Sequence, residues 1–223
     1  MQLPSSSAAS APKRRALLRA ALAAPLAAAL PAARAGNQRY EPLADAVRVA
    51  LAAQIADARP PLRSFDEPTA QVAFIEWMGT MSARLKARKP DDRLRYDFLR
   101  TLDYETARAG LDRQLVLALI EVESNFRKYA ISSAGARGYM QVMPFWTNVI
   151  GDGDARKLFD LRANLRYGCV ILRHYLDLEQ GDLYLALGRY NGSRGRPEYP
   201  NAVNAAWQKR WKFEPRQATA AAG

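Results

Sequence analysis

The sequence predicts an all-α protein on the basis of three observations. Apolar residues after residue 36 recur at intervals of three and four, which places them on one side of a helix. Proline, glycine and aspartate separate these stretches where helices would end or begin. No stretch alternates apolar and polar residues over the length of a strand, and no internal repeat is visible. With 49% hydrophobic and 25% charged residues, the chain has the composition of a globular protein with a real core.

Residues 1–35 are predicted to be an export signal and no part of the fold. They contain five basic residues and no acidic one, an apolar stretch at 20–33, and the small-residue sequence Ala33-Arg34-Ala35. This is the order of a secretory signal cleaved near Ala35. The apolar stretch is too short to span a membrane, so we expect no integral membrane segment in the mature, periplasmic chain. Arg14-Arg15 also fits the twin-arginine route, and the sequence leaves the Sec and twin-arginine routes open.

Helices are predicted along the next part of the chain. The first ends before Pro60-Pro61, the second begins near Pro68, and the third begins near Asp91 and stops at Gly110. Their apolar stripes are interpreted as core packing. The stripes are Leu43, Ala46, Val47, Ala50, Leu51 and Ile55 in the first helix, Val72, Ile75, Met78, Met81 and Leu85 in the second, and Leu94, Phe98 and Leu102 in the third.

Composition excludes several classes of function. The single histidine, His174, and the single cysteine, Cys169, cannot build a Cys/His metal site or an intramolecular disulfide, so we expect no metal and no cofactor. A Ser-His-Asp hydrolase would depend on His174, and no Gly-x-Ser-x-Gly turn is present. Of the 33 basic residues, 28 remain after the signal, against 22 acidic ones, so the formal charge falls from +11 to +6. These basic residues are scattered, and we expect no nucleic-acid partner.

A candidate catalytic carboxyl group lies at the end of an unusually apolar helix. Asp112 is predicted to cap this helix, and residues 114–122 are apolar on nearly every side, as in a helix at the centre of a domain. Glu123 follows directly, whereas Glu121 would point about 200° away and cannot share its site. Burial at this position would raise the pKa of Glu123, as a general acid requires. A surface glutamate or a structural salt bridge is the alternative.

Four blocks of sequence follow one another in the second half of the chain. They are Ile-Glu-Val-Glu-Ser-Asn-Phe at 120–126, Ala-Ile-Ser-Ser-Ala-Gly-Ala-Arg-Gly-Tyr-Met-Gln-Val-Met-Pro at 130–144, Asp-Leu-Arg-Ala-Asn-Leu-Arg-Tyr-Gly at 160–168, and Gly-Asp-Leu-Tyr-Leu-Ala-Leu-Gly-Arg-Tyr-Asn-Gly at 181–192. Each block resembles a motif of the soluble lytic transglycosylases, and the order is the same. A lone Glu-Ser pair would mean nothing, but the ordered set covers about residues 112–205.

The resemblance implies a lysozyme-like helical catalytic domain at 101–214. A helical N-terminal extension at 36–100 would precede it, and a flexible tail at 215–223 would follow. The implied partner is the glycan strand of peptidoglycan. The implied reaction is non-hydrolytic cleavage of the β-1,4 bond between N-acetylmuramic acid and N-acetylglucosamine, which leaves a 1,6-anhydro product and needs no cofactor.

The resemblance also implies roles for individual residues. Glu123 would be the general acid and base, and Tyr190 would hold this glutamate or the N-acetyl group of the substrate. The implied substrate-binding residues are Ser124, Tyr139, Met140, Gln141, Tyr190 and Asn191. Core packing is the alternative for Met140 and Tyr190. Tyr139 and Arg189 stand where the family usually has leucine and alanine, so we expect a sugar-binding groove of altered shape.

Two other functions stay open at this point. A goose-type-lysozyme-like hydrolase on the same fold would need a second acid to position water, and Asp160 is better placed to cap a helix. A non-catalytic murein-binding protein would be expected to lack the glutamate, but Glu123 is present. The sequence makes no prediction about action at chain ends or interiors, the biological pathway, protein partners or oligomeric state.

Overall fold

The computed structural model describes residues 38–57 and 64–215 and confirms the predicted all-α fold. The helices in these ranges are α1 (Asp45–Ala56), α2 (Pro68–Leu85), α3 (Asp92–Arg108), α4 (Arg113–Ser124), α5 (Phe145–Ile150), α6 (Leu161–Leu178), α7 (Leu183–Asn191) and α8 (Glu198–Ala206). A 3₁₀ helix, Ala155–Phe159, precedes α6, and a π-helical turn, Trp207–Trp211, follows α8. The predicted signal at 1–35, the Pro60-Pro61 break and residues 216–223 lie outside the described residues. None of the described helices is long and apolar enough to cross a membrane.

Several helix starts are fixed by aspartate caps. The side chain of Asp112 accepts hydrogen bonds from the backbone N–H groups of Gln114 and Leu115, as predicted. Asp160 accepts from the N–H of Ala163 and so caps α6. Such caps satisfy backbone donors that the first helical turn leaves unpaired, each worth about 1 kcal/mol. The predicted starts at Pro68 and near Asp91 are also confirmed.

Helix α4 lies at the centre of the fold. All six residues from 115 to 120 are buried, in agreement with its apolar sequence. It packs against α3 on one side and against α8 and the π-helical turn on another. Helix α6 packs against α3 and α7, and α7 packs against α8. The end of α4 is therefore surrounded by helices from distant parts of the chain.

Six of the predicted core positions are exposed and therefore wrong: Ala46, Val47 and Ala50 in α1, Val72 and Ile75 in α2, and Leu94 in α3. Val72 and Ile75 in α2 are 56% and 60% exposed, and Leu94 in α3 is 60% exposed. Helix α2 packs through Trp77, Met78, Met81 and Leu85. At about 100° per residue, Val72 lies roughly half a turn away from Met81, so the buried stripe begins later and on another side. In α1 only Leu51 is fully buried, because this helix packs through one narrow side onto α5 and α6.

The segment between α4 and α5 is held in shape by Asn164 of α6. This side chain is completely buried, accepts from the N–H of Met140 at 2.8 Å, and donates to the carbonyls of Arg137 and Leu158. Gly138 passes so close that a Cβ there would lie 2.3 Å from the Leu158 carbonyl oxygen. Its φ of +76° also favours glycine. The contacts of one asparagine thus fix the backbone that lies beside the end of α4.

Candidate active site

Glu123 lies in the last turn of α4, with 6% of its surface exposed. The helix ends one residue later because Asn125 adopts the left-handed conformation, with φ of 48°. The apolar residues of α4 keep this turn inside the core, so the carboxyl group is carried into the interior by its own helix. The sequence prediction of a buried carboxyl group at this helix end is confirmed.

The environment of Glu123 favours its protonated form. Burial raises its pKa to about 8, and a hydrogen bond from Tyr199 opposes that rise without cancelling it. The Tyr199 hydroxyl donates to Oε1 at 2.6 Å, whereas Oε2 accepts no hydrogen bond from any described residue. A carboxyl group with this pKa carries a proton at neutral pH. Because the tyrosine donates to Oε1, that proton resides on Oε2.

The tyrosine that holds Glu123 in the structure is Tyr199 of α8, a residue that no motif or spacing in the sequence indicated as part of the site. Tyr199, Val203 and Ala206 share the buried side of α8, so the sequence pattern indicated packing and nothing more. The contact joins residues 76 positions apart. Only the way in which α8 packs against α4 brings this hydroxyl to the carboxyl group.

Tyr190, the residue first expected to hold Glu123, donates to the carbonyl of Met140 at 2.7 Å. It is completely buried in α7, and burial together with the nearby Glu123 raises its pKa well above the ordinary value. The structure therefore places Tyr190 close enough to Glu123 to sense its charge, and ties its hydroxyl to the neighbouring backbone. The resemblance implied that Tyr190 holds either Glu123 or the N-acetyl group of the substrate. Its hydroxyl binds the Met140 carbonyl in place of Glu123, and the contact with the N-acetyl group stays a prediction.

Ser124 and Gln141 are both buried, and their polar groups bind the protein backbone. The Ser124 hydroxyl donates to the carbonyl of Tyr139 at 2.7 Å. The Gln141 amide donates to the carbonyls of Ala130 and Gly138, and its backbone is left-handed, with φ of 49°. Both residues thus shape the segment beside Glu123, and their predicted contact with sugar stays a prediction.

The remaining predicted substrate-binding residues occupy different environments. Asn191, at the end of α7, is buried; its amide nitrogen donates to Ser193, and its Oδ1 has no partner among the described residues. Met140 is completely buried and packs so closely on Gly168 that a Cβ there would lie 2.3 Å from its sulfur. This placement favours core packing for Met140, and leaves Asn191 with a polar atom available for a ligand.

The two departures from the family pattern contact residues of the N-terminal helical region. The Tyr139 hydroxyl accepts a hydrogen bond from the ammonium group of Lys89 at 2.9 Å, and its ring lies against Phe98. Arg189 forms ion pairs with Glu41 and Glu179. The structure thus explains both larger, more polar side chains through contacts with residues 38–100.

Glu121 faces away from Glu123, as its position in the helix predicted. Its two oxygens accept hydrogen bonds from Arg88, Arg210 and the indole N–H of Trp211. This carboxylate therefore ties the end of α2 and the π-helical turn to α4. In the described ranges, no group of three or more His, Cys, Asp and Glu side chains is placed to hold a metal ion.

The fold and the site together define a class. An apolar central helix ends in one protonated carboxyl group, and helices from the far end of the chain enclose it. This is a lysozyme-like helical fold.

Comparison with known proteins identifies the family within this class. Residues 101–213 match the transglycosylase SLT domain, which is half of the chain, so the chain belongs to the transglycosylase SLT domain family. Over 82 residues it is 39% identical to "Membrane-bound lytic murein transglycosylase C" of Actinobacillus pleuropneumoniae serotype 5b (strain L20), covering 37% of this chain and 21% of the relative. Proteins of the same name in Glaesserella parasuis serovar 5 (strain SH0165) and Haemophilus influenzae (strain PittEE) are 37% and 35% identical, covering 37% and 31% of this chain. The matched part spans about a fifth of the length of these relatives, 21% and 23%.

The burial of Glu123 predicts how stability depends on pH. Between about pH 4.5 and pH 8 the glutamate ionises in the unfolded chain but stays protonated in the folded one. Its contribution is therefore complete below pH 4.5 and is lost as pH rises through about 8, at roughly 1 kcal/mol per pH unit. Glu123→Gln cannot ionise at this position and so does not lose this contribution. We therefore expect its free energy of unfolding, relative to that of the wild type, to increase as pH rises from about 4.5 to about 8. Urea unfolding of both proteins between pH 4 and pH 9 measures the difference. Parallel curves would mean that Glu123 titrates normally.

Proposed function

We propose that this chain is a peptidoglycan lytic transglycosylase with Glu123 as its general acid and base. The observation that carries the proposal is the buried carboxyl group with a pKa of about 8, which lies within the matched domain and in the block that resembles the Glu-Ser motif of the family. A group that must donate a proton near neutral pH is best held protonated by its surroundings, and the core around α4 does this. The relatives are named for murein, which supports peptidoglycan glycan strands as the substrate.

In the first step, Oε2 of Glu123 donates its proton to the β-1,4 oxygen between N-acetylmuramic acid and N-acetylglucosamine. The bond from this oxygen to the anomeric carbon breaks, and the N-acetyl group of the substrate stabilises that carbon. Tyr199 keeps its hydrogen bond to Oε1, and so holds the carboxyl group in orientation and stabilises the carboxylate that forms.

In the second step, the Glu123 carboxylate removes the proton from the C6 hydroxyl of the N-acetylmuramic acid whose anomeric carbon has lost its bond. The C6 oxygen then bonds to the anomeric carbon and closes the 1,6-anhydro ring. The proton that left Glu123 is replaced, so the enzyme returns to its starting state and no water is consumed. Attack from within the same sugar has the advantage of a tethered nucleophile.

The absence of a second carboxylate at the site supports this mechanism over hydrolysis. An ordinary glycosidase uses two carboxyl groups on either side of the scissile bond. Among the described residues, no aspartate or glutamate is among the groups that shift the pKa of Glu123, for which burial and Tyr199 are the causes. Asp160, the other acid in the matched motifs, caps α6.

The other site residues and the domain division complete the proposal. Asn191, whose Oδ1 has no partner among the described residues, is proposed to bind the substrate. Ser124 and Gln141 are proposed to set the shape of the segment beside Glu123. Residues 36–100 form a supporting helical extension to the catalytic domain at 101–214. The mature enzyme acts in the periplasm after cleavage near Ala35.

Substitution of the two neighbouring glutamates tests the assignment of Glu123. Glu123→Gln is expected to keep the fold and murein binding but to lose turnover roughly 10²- to 10⁴-fold, because an amide cannot donate the proton. Glu121→Gln is the matched control two residues away. It should lose far less turnover than Glu123→Gln, because its amide oxygen can still accept the hydrogen bond from Arg88, and it should lose stability, because its ion pairs with Arg88 and Arg210 are removed. The measurements are release of soluble fragments from purified sacculi and thermal unfolding. Equal losses of turnover would mean that the wrong glutamate has been chosen.

The product distinguishes a transglycosylase from a hydrolase by chemistry. Ring closure gives fragments that are lighter by one water and cannot be reduced with borohydride, whereas a hydrolase leaves reducible N-acetylmuramic acid ends. We expect non-reducible ends, because the matched sequence blocks supply Glu123 as the one carboxyl group in position for catalysis, whereas Asp160 caps α6. Mass spectrometry of borohydride-treated digests measures the ratio. Mostly reducible ends would reject the transglycosylase reaction even with Glu123 essential.

The export route follows from the basic residues that precede the apolar stretch. Arg14 and Arg15 form a pair in the predicted signal, and replacement of both by lysine keeps the charge while removing the twin-arginine feature. We expect the wild-type chain in the periplasm with an N-terminus near Gly36. Loss of periplasmic protein in the double variant identifies the twin-arginine route, and an unchanged yield identifies the Sec route. Fractionation and N-terminal sequencing provide the readout, and a wild-type chain retained in the cytoplasm would contradict export.

A further inference from the structure

Arg88, in the turn after α2, holds the end of the catalytic helix from both sides of Glu123. Its Nε donates to the Asn125 side chain at 2.8 Å, and its Nη2 donates to Glu121 at 2.8 Å. These two partners lie two residues after and two residues before Glu123. A guanidinium group is rigid and planar, so two bonds from one fork fix the spacing of its partners. Arg88 therefore constrains the helical turn that carries Glu123.

Lys89, the next residue, is connected through Tyr139 to Ser124, which directly follows Glu123. Its ammonium group donates to the Tyr139 hydroxyl and lies over the Tyr139 ring, 4.8 Å from the centroid. The Tyr139 carbonyl in turn accepts the hydroxyl of Ser124 at 2.7 Å. A chain of contacts thus connects Lys89 to the residue that follows Glu123. The N–H groups of Arg88 and Lys89 both donate to the Leu85 carbonyl, which fixes the two side chains relative to α2.

The backbone that these contacts hold is unfavourable by itself. Asn125 and Phe126 are both left-handed, with φ of 48° and 62°, and consecutive non-glycine residues rarely adopt this conformation. Such a conformation persists where surrounding contacts determine it. Arg88 binds Asn125 directly, and its guanidinium carbon lies 5.8 Å from the centre of the Phe126 ring.

We propose that Arg88 and Lys89 act as positioning residues that clamp the last turn of α4 and so keep the carboxyl group of Glu123 buried and aimed at the substrate. The proposal rests on the proposed function for the aim of the carboxyl group, but not for its burial. Both residues lie outside the matched residues 101–213, so this part of the site is supplied by the N-terminal helices. This pair is named the Arg88–Lys89 clamp.

The clamp acts on a carboxyl group whose pKa is not shifted by any charged group of the described residues. The titratable groups that face Glu123 are the hydroxyls of Tyr199 from α8 and Tyr190 from α7, and both tyrosines are completely or almost completely buried. Glu123 therefore stays protonated because burial excludes water from its carboxyl group. Looser packing of the α4 end admits water, which lowers the pKa of the carboxyl group toward its ordinary value.

The first experiment compares Arg88→Met with Arg84→Met in the full chain. Arg84 lies one turn earlier in α2, and its guanidinium group donates to the backbone carbonyls of Arg210 and Lys212, whereas that of Arg88 donates to Glu121 and Asn125 at the end of α4. Arg84→Met therefore serves as the matched control. In each background, the stability difference between Glu123 and Glu123→Gln is measured against pH, which reports the pKa of Glu123 without any substrate. This stability difference levels off near the pKa of Glu123 in the folded protein. We expect the pH at which it levels off to be lower in Arg88→Met and unchanged in Arg84→Met.

Turnover on sacculi gives the second readout. In Arg88→Met we expect kcat to fall roughly 10- to 100-fold, the size of effect that a displaced catalytic group produces. The alkaline limit of activity should move to lower pH, and KM should change little. Arg88→Lys keeps the charge but not the two-pronged fork, so its values should fall between those of the wild type and Arg88→Met.

A double-mutant cycle tests the Lys89 arm with smaller changes. Lys89→Met and Tyr139→Phe each remove one partner of the same hydrogen bond, so the double variant should lose no more kcat than the larger single loss. If Arg88→Met does not fold, Arg88→Lys and this cycle decide the question. Additive losses of kcat in the cycle would overturn the proposal. So would a stability difference that levels off at the wild-type pH, together with an unchanged alkaline limit of activity, in every folded clamp variant. Failure of the proposed function is distinct, since it would appear as a wild-type chain that does not cleave sacculi.

Discussion

The structure depends on one constraint, which is that a single carboxyl group must be kept dry at the end of a helix. Helix α4 achieves this because residues 115–120 are all buried and so hold the side of its last turn that carries Glu123 in the core. Helices α7 and α8 then supply two buried tyrosines around the carboxyl group. Burial of an ionisable group works against folding, and the closely packed core around α4 offsets that cost. The protonation of Glu123 therefore depends directly on how well the core around α4 is packed.

The end of α4 is also the point where distant parts of the chain meet. Glu121 receives Arg88 from the N-terminal helices, and Arg210 and Trp211 from the π-helical turn. Helix α3 runs through residue 101, where the family match begins, without a break. The helices before the matched domain thus support the same helical turn as those at its end. These contacts agree with the supporting role proposed for residues 36–100.

Sequence pattern predicted the helices and the buried glutamate because both depend on local properties. Periodicity gives the spacing of a buried stripe, and the all-round apolar sequence of α4 placed it in the core. The position of the stripe around α2 was wrong at Val72 and Ile75, because it depends on how that helix packs. Tyr199 could not be selected, since its contact with Glu123 is made by helix packing across 76 residues. The family motif indicated that Tyr190 lies near the glutamate, in agreement with the structure, but it did not predict that the Tyr190 hydroxyl donates to the Met140 carbonyl.

Gly138 and Asn164 illustrate how this architecture limits change in the sequence. The asparagine side chain fills the space that a Cβ at residue 138 would need, and at the same time binds three backbone groups of two separate segments. A larger residue at 138 is harmful with or without the asparagine, because the Leu158 carbonyl and the positive φ also exclude a Cβ there. A smaller residue at 164 leaves its three backbone partners unpaired. Each position is therefore constrained by itself, and a lineage that changes either one must rebuild the segment beside Glu123 by another route.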